Sequence, residues 1–234
     1  MNEVRWEGRI LKAVVFDLDD TLIHTTVDFR KLRVWLFKEL LSRGIPPSEI
    51  DVSDTVVNNV ERASAFLRSQ HRGDEEDDLR WTVGRLMDQA EMEKVSETRP
   101  VEGAKACIDA LKAHGVKMGI LTRGSRAYAI AALRYAGLDG RLNILICRDD
   151  HPEAEAKPNG VAMKRIAALL GTDPQECLLV GDHLIDLTCA RSSSSPFVGV
   201  LTGSFKRQDW ESKGCGSVID SVADLPALLG IGKR

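Results

Sequence analysis

The chain has 234 residues, with 32 Lys+Arg against 35 Asp+Glu and a formal net charge of −3, so no basic surplus points to nucleic acid or an anionic membrane as partner. Hydrophobic residues make up 43% and aromatic residues 5%, an aliphatic composition that excludes a disordered chain. No apolar run approaches the ~20 residues of a membrane span.

Residues 1–12 carry Glu3, Arg5, Glu7 and Arg9 where a signal peptide needs an unbroken apolar stretch. Five scattered cysteines (Cys107, Cys147, Cys177, Cys189, Cys215) contain no C-x-x-C pair and read as reduced, buried thiols rather than disulfides or a zinc ribbon. The expectation is a cytoplasmic protein, monomer or homodimer, with neither nucleic acid nor membrane as partner.

In chain order, residues 12–18 form a short, fully apolar run of the kind buried on both faces of a parallel sheet. From about residue 28 to 97 helical spacing takes over. Leu32, Trp35, Leu36 and Leu40 share one face, and Gly44 with Pro46-Pro47 stops that helix. Val56, Val60, Ala63 and Leu67, then Leu79, Val83, Leu86 and Ala90, repeat the pattern. Between them, residues 72–78 read as an acidic loop and helix start. Trp35, Phe66 and Trp81 are expected inside this helical part.

After Pro100 short apolar runs at 116–122, 142–147, 177–181 and 197–201 alternate with helical stretches near 103–114, 125–136, 159–170 and 205–213. Gly115, Gly137 and Gly171 stand where helices end in a left-handed residue. A last helix over 222–229 starts at Ser221, with Asp224 three residues on. The fold class is therefore α/β: a Rossmann-like parallel sheet with helices on both faces, interrupted by an all-helical insertion of roughly 70 residues, a four-helix or smaller bundle. The boundaries are 1–24 and 99–234 for the core and 25–98 for the insertion.

Ligands of open parallel sheets bind beyond the carboxyl ends of the strands. Here the first strand ends in Asp17-Leu-Asp19-Asp20-Thr21, the second in Leu121-Thr122-Arg123-Gly124, the third is followed by Lys157-Pro158, and the fourth ends in Gly181-Asp182 with Asp186 four residues on. Singly, each Asp reads as a turn former or helix cap; four strand ends carrying such groups read as one site. Converging Asp17, Asp19, Asp182 and Asp186 would repel one another, a hard divalent cation relieves that, and an oxygen-only ligand set favours Mg²⁺. Lys157, the Thr122 hydroxyl and backbone N–H groups near Asp19–Asp20 and Arg123–Gly124 would cradle a phosphate. The chemistry this suggests is phosphoryl transfer to an aspartate.

Val15-Phe-Asp17-Leu-Asp19-Asp20-Thr21-Leu22 resembles the first motif of the haloacid dehalogenase-like hydrolase superfamily; Leu121-Thr122-Arg123-Gly124, Lys157-Pro158 and Gly181-Asp182-His-Leu-Ile-Asp186 are similar to its second, third and fourth. The helical insertion lies where that superfamily places its cap, and Gly199-Val-Leu-Thr-Gly203 is similar to the phosphoglycolate-phosphatase-like branch. The resemblance implies that Asp17 is the nucleophile and Asp19 the general acid and base. It also implies that Mg²⁺ is held by Asp17, the Asp19 backbone carbonyl and Asp182. Asp186 is either a further ligand or an orienting group, and Thr122, Arg123 and Lys157 bind phosphate. Asp20 departs from the Gly of many relatives, and Ser192–Ser195 from a stretch usually rich in Ala and Gly.

The implied activity is a Mg²⁺-dependent phosphatase of small phosphorylated metabolites, phosphoglycolate or a sugar phosphate among them. Dehalogenases lack the second acidic residue that Asp19 provides, and phosphonatases need a cap Lys, whereas residues 39–93 contain none. Sugar phosphomutases usually place a His near position 29, where this chain has Phe29, with His24 nearer. A phosphomutase and a catalytically silent phosphate-binding relative remain the alternatives. Cap residues Arg62, Arg68, Arg72, Arg80 and Arg85 either meet the substrate or are solvated, and residues 23–28 and 96–100 are expected to act as hinges.

Overall fold

Ala13, Val14, Val15 and Phe16 are all 0% exposed, as apolar side chains on both faces of a central strand must be. The computed structural model describes residues 3–231. It divides into two compact units, Met1–Thr25 with Ser96–Arg234, and Thr26–Val95.

In the first unit β1 (Val4–Trp6) and β2 (Arg9–Leu11) form an antiparallel hairpin that the charged N-terminus had concealed. Its signal was the alternation of buried Val4 and Trp6 about exposed Arg5, with Glu7 and Gly8 at φ 47° and 77° in the turn. Next come the central strand β3 (Ala13–Phe16) and the two-residue β4 (Ile23–His24).

The second unit holds α1 (Phe29–Ser42), α2 (Val56–Ser69) and α3 (Glu76–Glu93). Asp28 caps α1 by accepting from the Lys31 N–H at 2.9 Å, and Thr55 caps α2 by accepting from that of Asn58 at 3.1 Å. Glu76, Asp77 and Asp78 occupy the first turn of α3, where carboxylates oppose the helix dipole. Leu36, Leu40, Ile45, Val60, Ala63, Leu67, Leu79 and Val83 form one core. Trp81 corrects the expectation: it is 64% exposed, because it lies two residues from both Leu79 and Val83 and therefore on the opposite helix face. Trp35 is half-buried with the Lys31 ammonium 4.7 Å from its ring centroid, and Phe66 packs half-buried against the core.

Back in the first unit, β5 (Arg99–Pro100) pairs antiparallel with β4, so parts of both expected hinges are strand. Then follow α4 (Ala104–Ala113), β6 (Lys117–Leu121), α5 (Arg126–Tyr135), β7 (Ile144–Ile146), α6 (Gly160–Leu170) and β8 (Cys177–Gly181). The chain ends with α7 (Leu184–Ser193), β9 (Phe197–Val200), α8 (Arg207–Ser212), β10 (Val218–Ile219) and α9 (Leu225–Leu228). Helix α7 and strand β10 were not anticipated: Asp186 and the serine run blur the apolar pattern of the first, and two residues carry no periodicity in the second. The expected helix over 222–229 is instead a 3₁₀ turn (Val222–Asp224) leading into α9, with the Ser221–Asp224 capping box present.

Among the described residues the six-stranded sheet has the order β10-β9-β8-β3-β6-β7, all parallel. Ala13 and Val15 face a cluster containing Met163, Ile166, Leu179 and Trp210; by alternation Val14 and Phe16 face the other side. All five cysteines are free and buried, and no described helix is long and apolar enough to cross a membrane.

Candidate active site

Strand register decides which side chains meet. Phe16 lies beside Ile120 on one neighbour and Val180 on the other. Asp17 therefore stands level with Leu121 and Gly181, and Thr122 and Asp182 follow one residue beyond at the same sheet edge. The Asp17 N–H still donates to the Val180 carbonyl at 2.8 Å, so the ladder holds its backbone to the last position.

Asp17, Asp182 and Asp186 are buried, and one carboxylate oxygen from each lies within 4.8 Å of the others. Asp186 reaches the cluster from the first turn of α7, which His183 caps by accepting the Ile185 N–H at 3.3 Å. Small residues make the closeness possible. A Cβ on Gly203 would fall 2.0 Å from Asp182 Oδ2, and one on Gly181 would fall 2.5 Å from Asp186 Oδ2. Burial, followed by the charges of Asp17 and Asp186, holds the Asp182 carboxyl well above its usual range. Burial likewise raises Asp186, although Lys157 opposes it.

Lys157 is 3% exposed, and its ammonium donates to Asp17 Oδ1 at 2.5 Å and to Asp186 Oδ1 at 2.6 Å. Burial alone would lower its pKa; the two carboxylates outweigh that and raise it, fixing the positive charge. Asp186 Oδ2 in turn accepts from the His183 N–H at 3.2 Å, so both its oxygens are engaged. One ammonium thus faces three clustered carboxylates, an oxygen-only donor set short of positive charge, which fits a hard divalent cation.

Asp19 does not join them through its side chain, contrary to the expected four-carboxylate convergence. Its Oδ1 accepts from the Tyr128 hydroxyl at 2.5 Å, and Thr25 donates a second side-chain bond. Burial pushes the Asp19 carboxyl up to about 7 against the pull of those hydroxyls, with the Asp17 charge adding to the rise. Asp20 adopts φ 51°, a left-handed conformation that glycine adopts freely and Asp tolerates. The Thr202 hydroxyl donates to its carbonyl at 2.5 Å.

Thr122 is 4% exposed, and its Oγ1 accepts the Gly124 N–H at 2.9 Å. The Arg123 guanidinium donates to the Lys157 carbonyl at 2.6 Å and pairs with Glu153; its side chain braces the lysine segment. In the other unit Arg62, Arg68, Arg72 and Arg80 pair with Asp54, Glu76, Glu75 and Glu61 respectively, while Arg85 lies 5.4 Å from the Trp81 ring centroid. Tyr128 was missed by sequence reasoning, and Thr202 and Gly203, although part of the Gly199–Gly203 motif, were not placed at the site. The signal for Tyr128 was faint: it stands four residues after the glycine of the Thr122-Arg123-Gly124 segment.

The haloacid dehalogenase-like hydrolase family model matches residues 11–193. A phosphoglycolate phosphatase of Nitrosospira multiformis is 26% identical over 222 residues, covering 94% of this chain and 96% of that one. An N-acetylmuramic acid 6-phosphate phosphatase of Pseudomonas aeruginosa is 26% identical over 222 residues, covering 94% and 95%. Among solved structures, a hydrolase from Pseudomonas syringae superposes with a TM-score of 0.68 at 24% identity, covering 94% of this chain and 98% of its own. The chain belongs to the haloacid dehalogenase-like hydrolase family.

Proposed function

We propose that this hydrolase is a Mg²⁺-dependent phosphatase that cleaves small phosphate monoesters through an aspartyl-phosphate on Asp17. The observation that carries the reading is the opposite surroundings of two carboxylates two residues apart. Asp17 faces the fixed Lys157 ammonium, and Asp19 faces hydroxyls with its pKa near neutrality. Such a split supports a reading in which one group attacks and the other transfers protons.

In the first half-reaction an Asp17 carboxylate oxygen forms a bond to phosphorus, the ester P–O bond breaks, and the leaving oxygen takes the proton of Asp19. In the second, water gives a proton to the Asp19 carboxylate and attacks phosphorus, the bond to Asp17 breaks, and inorganic phosphate leaves. Lys157 and the Thr122 hydroxyl, whose oxygen already accepts from Gly124, bind the transferring phosphoryl oxygens. Mg²⁺ would be held by Asp17, the Asp19 backbone carbonyl and Asp182, where it supplies charge stabilisation to those oxygens. With both oxygens engaged, Asp186 suits the orienting role toward Lys157.

The names of the relatives put phosphoglycolate first and N-acetylmuramic acid 6-phosphate second among substrates to try. The test is phosphate release from a panel of phosphorylated metabolites with Mg²⁺ and with EDTA. Release that EDTA abolishes supports the reading. Conversion of a sugar 1-phosphate to its 6-phosphate without release would make the chain a mutase, and binding without turnover would make it a silent relative.

A further inference from the structure

The Asp19 carboxylate lies outside the Asp17–Asp182–Asp186 group and is held by a residue that follows Thr122 in the chain. Tyr128 is 0% exposed, and its hydroxyl donates to Asp19 Oδ1 across 109 residues of sequence. Ser125 caps α5 by accepting the Tyr128 N–H at 3.3 Å, which sets this tyrosine in the first helical turn. Room for its ring comes from Gly124: a Cβ there would lie 2.8 Å from Cδ1 and 3.3 Å from Cε1 of Tyr128, and 3.4 Å from Thr122 Oγ1. The same glycine donates its N–H to Thr122 Oγ1. Residues 122–128 therefore place both a phosphate-facing hydroxyl and the anchor of Asp19, with Gly124 between them.

A proton-transfer group works only when held close to its productive geometry. A phenol suits that task because it donates to a carboxylate and to the carbonyl oxygen of a carboxylic acid alike, so the contact survives both protonation states. We propose that Tyr128 is the positioning residue of Asp19, fixing its carboxyl group through Oδ1 in the orientation from which the leaving oxygen is protonated. The proposal rests on the role assigned to Asp19 above. Its rival is a purely structural tyrosine that fills space between α5 and the sheet.

Tyr128→Phe keeps the ring and removes only the hydroxyl. Its kcat and KM are measured with phenyl phosphate and p-nitrophenyl phosphate, esters of similar shape whose leaving groups differ in their need for a proton. We expect kcat for phenyl phosphate to fall about 10–100-fold and that for the nitrophenyl ester about threefold or less, with KM within about twofold for both. In an Asp19→Asn background the same change should have no further effect on either ester. Gly124→Ala, which crowds the ring but keeps the hydroxyl, should shift the ester ratio in the same direction, so the idea remains testable if Tyr128→Phe folds poorly. Equal losses on both esters, or none, while Asp19→Asn is crippled would overturn the role of Tyr128 and leave that of Asp19 intact. Parent-level activity in Asp19→Asn would overturn the role of Asp19 itself.

Discussion

The Lys157 ammonium lies 2.5 Å from Asp17 Oδ1, on a residue 140 positions away in sequence, with the two side chains 3% and 12% exposed. Charges this deeply buried are tolerated only as a set, and the consequences of removing one member follow from that.

Lys157→Met should leave Asp17 and Asp186 facing each other without a cation. Breaking a buried pair from one side costs about 3–5 kcal/mol, so urea unfolding at neutral pH should show a loss of that order and turnover should vanish. The deficit should shrink as pH falls, because protonating the carboxylates removes their repulsion.

Asp17→Asn should retain the fold, since an amide is of similar shape, yet abolish turnover. Acid quenching of the parent protein with ³²P-labelled substrate should trap label on the chain, and the variant should trap none. Label of equal intensity in both would remove Asp17 from its assigned role.

Metal binding should strengthen with pH. Burial holds the Asp182 and Asp186 carboxyls above their ordinary pKa, so protons compete with the cation over a range that extends past neutrality and are displaced when it binds. Calorimetric titration with Mg²⁺ should give tighter binding and fewer released protons at pH 8 than at pH 6. A pH-independent affinity would contradict a site built on these groups.

Gly203→Ala should act on the metal site without touching a ligand. The added Cβ would sit 2.0 Å from Asp182 Oδ2, so the carboxylate must move. The Cβ would also lie 2.7 Å from Cβ and Cγ of the buried Asp182, so a weakening of Mg²⁺ affinity of roughly tenfold or more is expected, together with an overpacking loss of about 1–3 kcal/mol in EDTA.

Leu67→Ala tests the helical unit by itself. Leu67 is 0% exposed within the cluster shared by α1, α2 and α3, so a loss of about 2–5 kcal/mol is expected on chemical unfolding. Trp81→Ala, at 64% exposure, should change stability by about 0.5 kcal/mol or less.

How much was legible depended on the range of the interaction. The parallel sheet, its strand ends and the helical insertion were readable because apolar runs such as Ala13–Phe16 and Cys177–Gly181 and the 3.6-residue spacing of Leu36, Leu40, Val60 and Leu67 are local patterns. The hairpin β1–β2 escaped because its alternation spans only three residues amid charged neighbours, and the edge strand β10 because two residues hold no period. Trp81 was misplaced because its size was weighed over its helix phase.

Sequence alone set two strand ends bearing aspartates, one bearing a threonine and one followed by a lysine, in an order that resembles a phosphate-handling family, since those residue types follow apolar runs in a fixed sequence. Which carboxylates gather and which one stands aside was decided only by the folded chain. Register set Asp17 level with Gly181 and so near Asp182, the α7 cap brought Asp186 onto Lys157, and Tyr128 took hold of Asp19. Tyr128 and Asp19 are 109 positions apart and Lys157 and Asp17 140, and no local pattern encodes a distance that exists only after the sheet has formed.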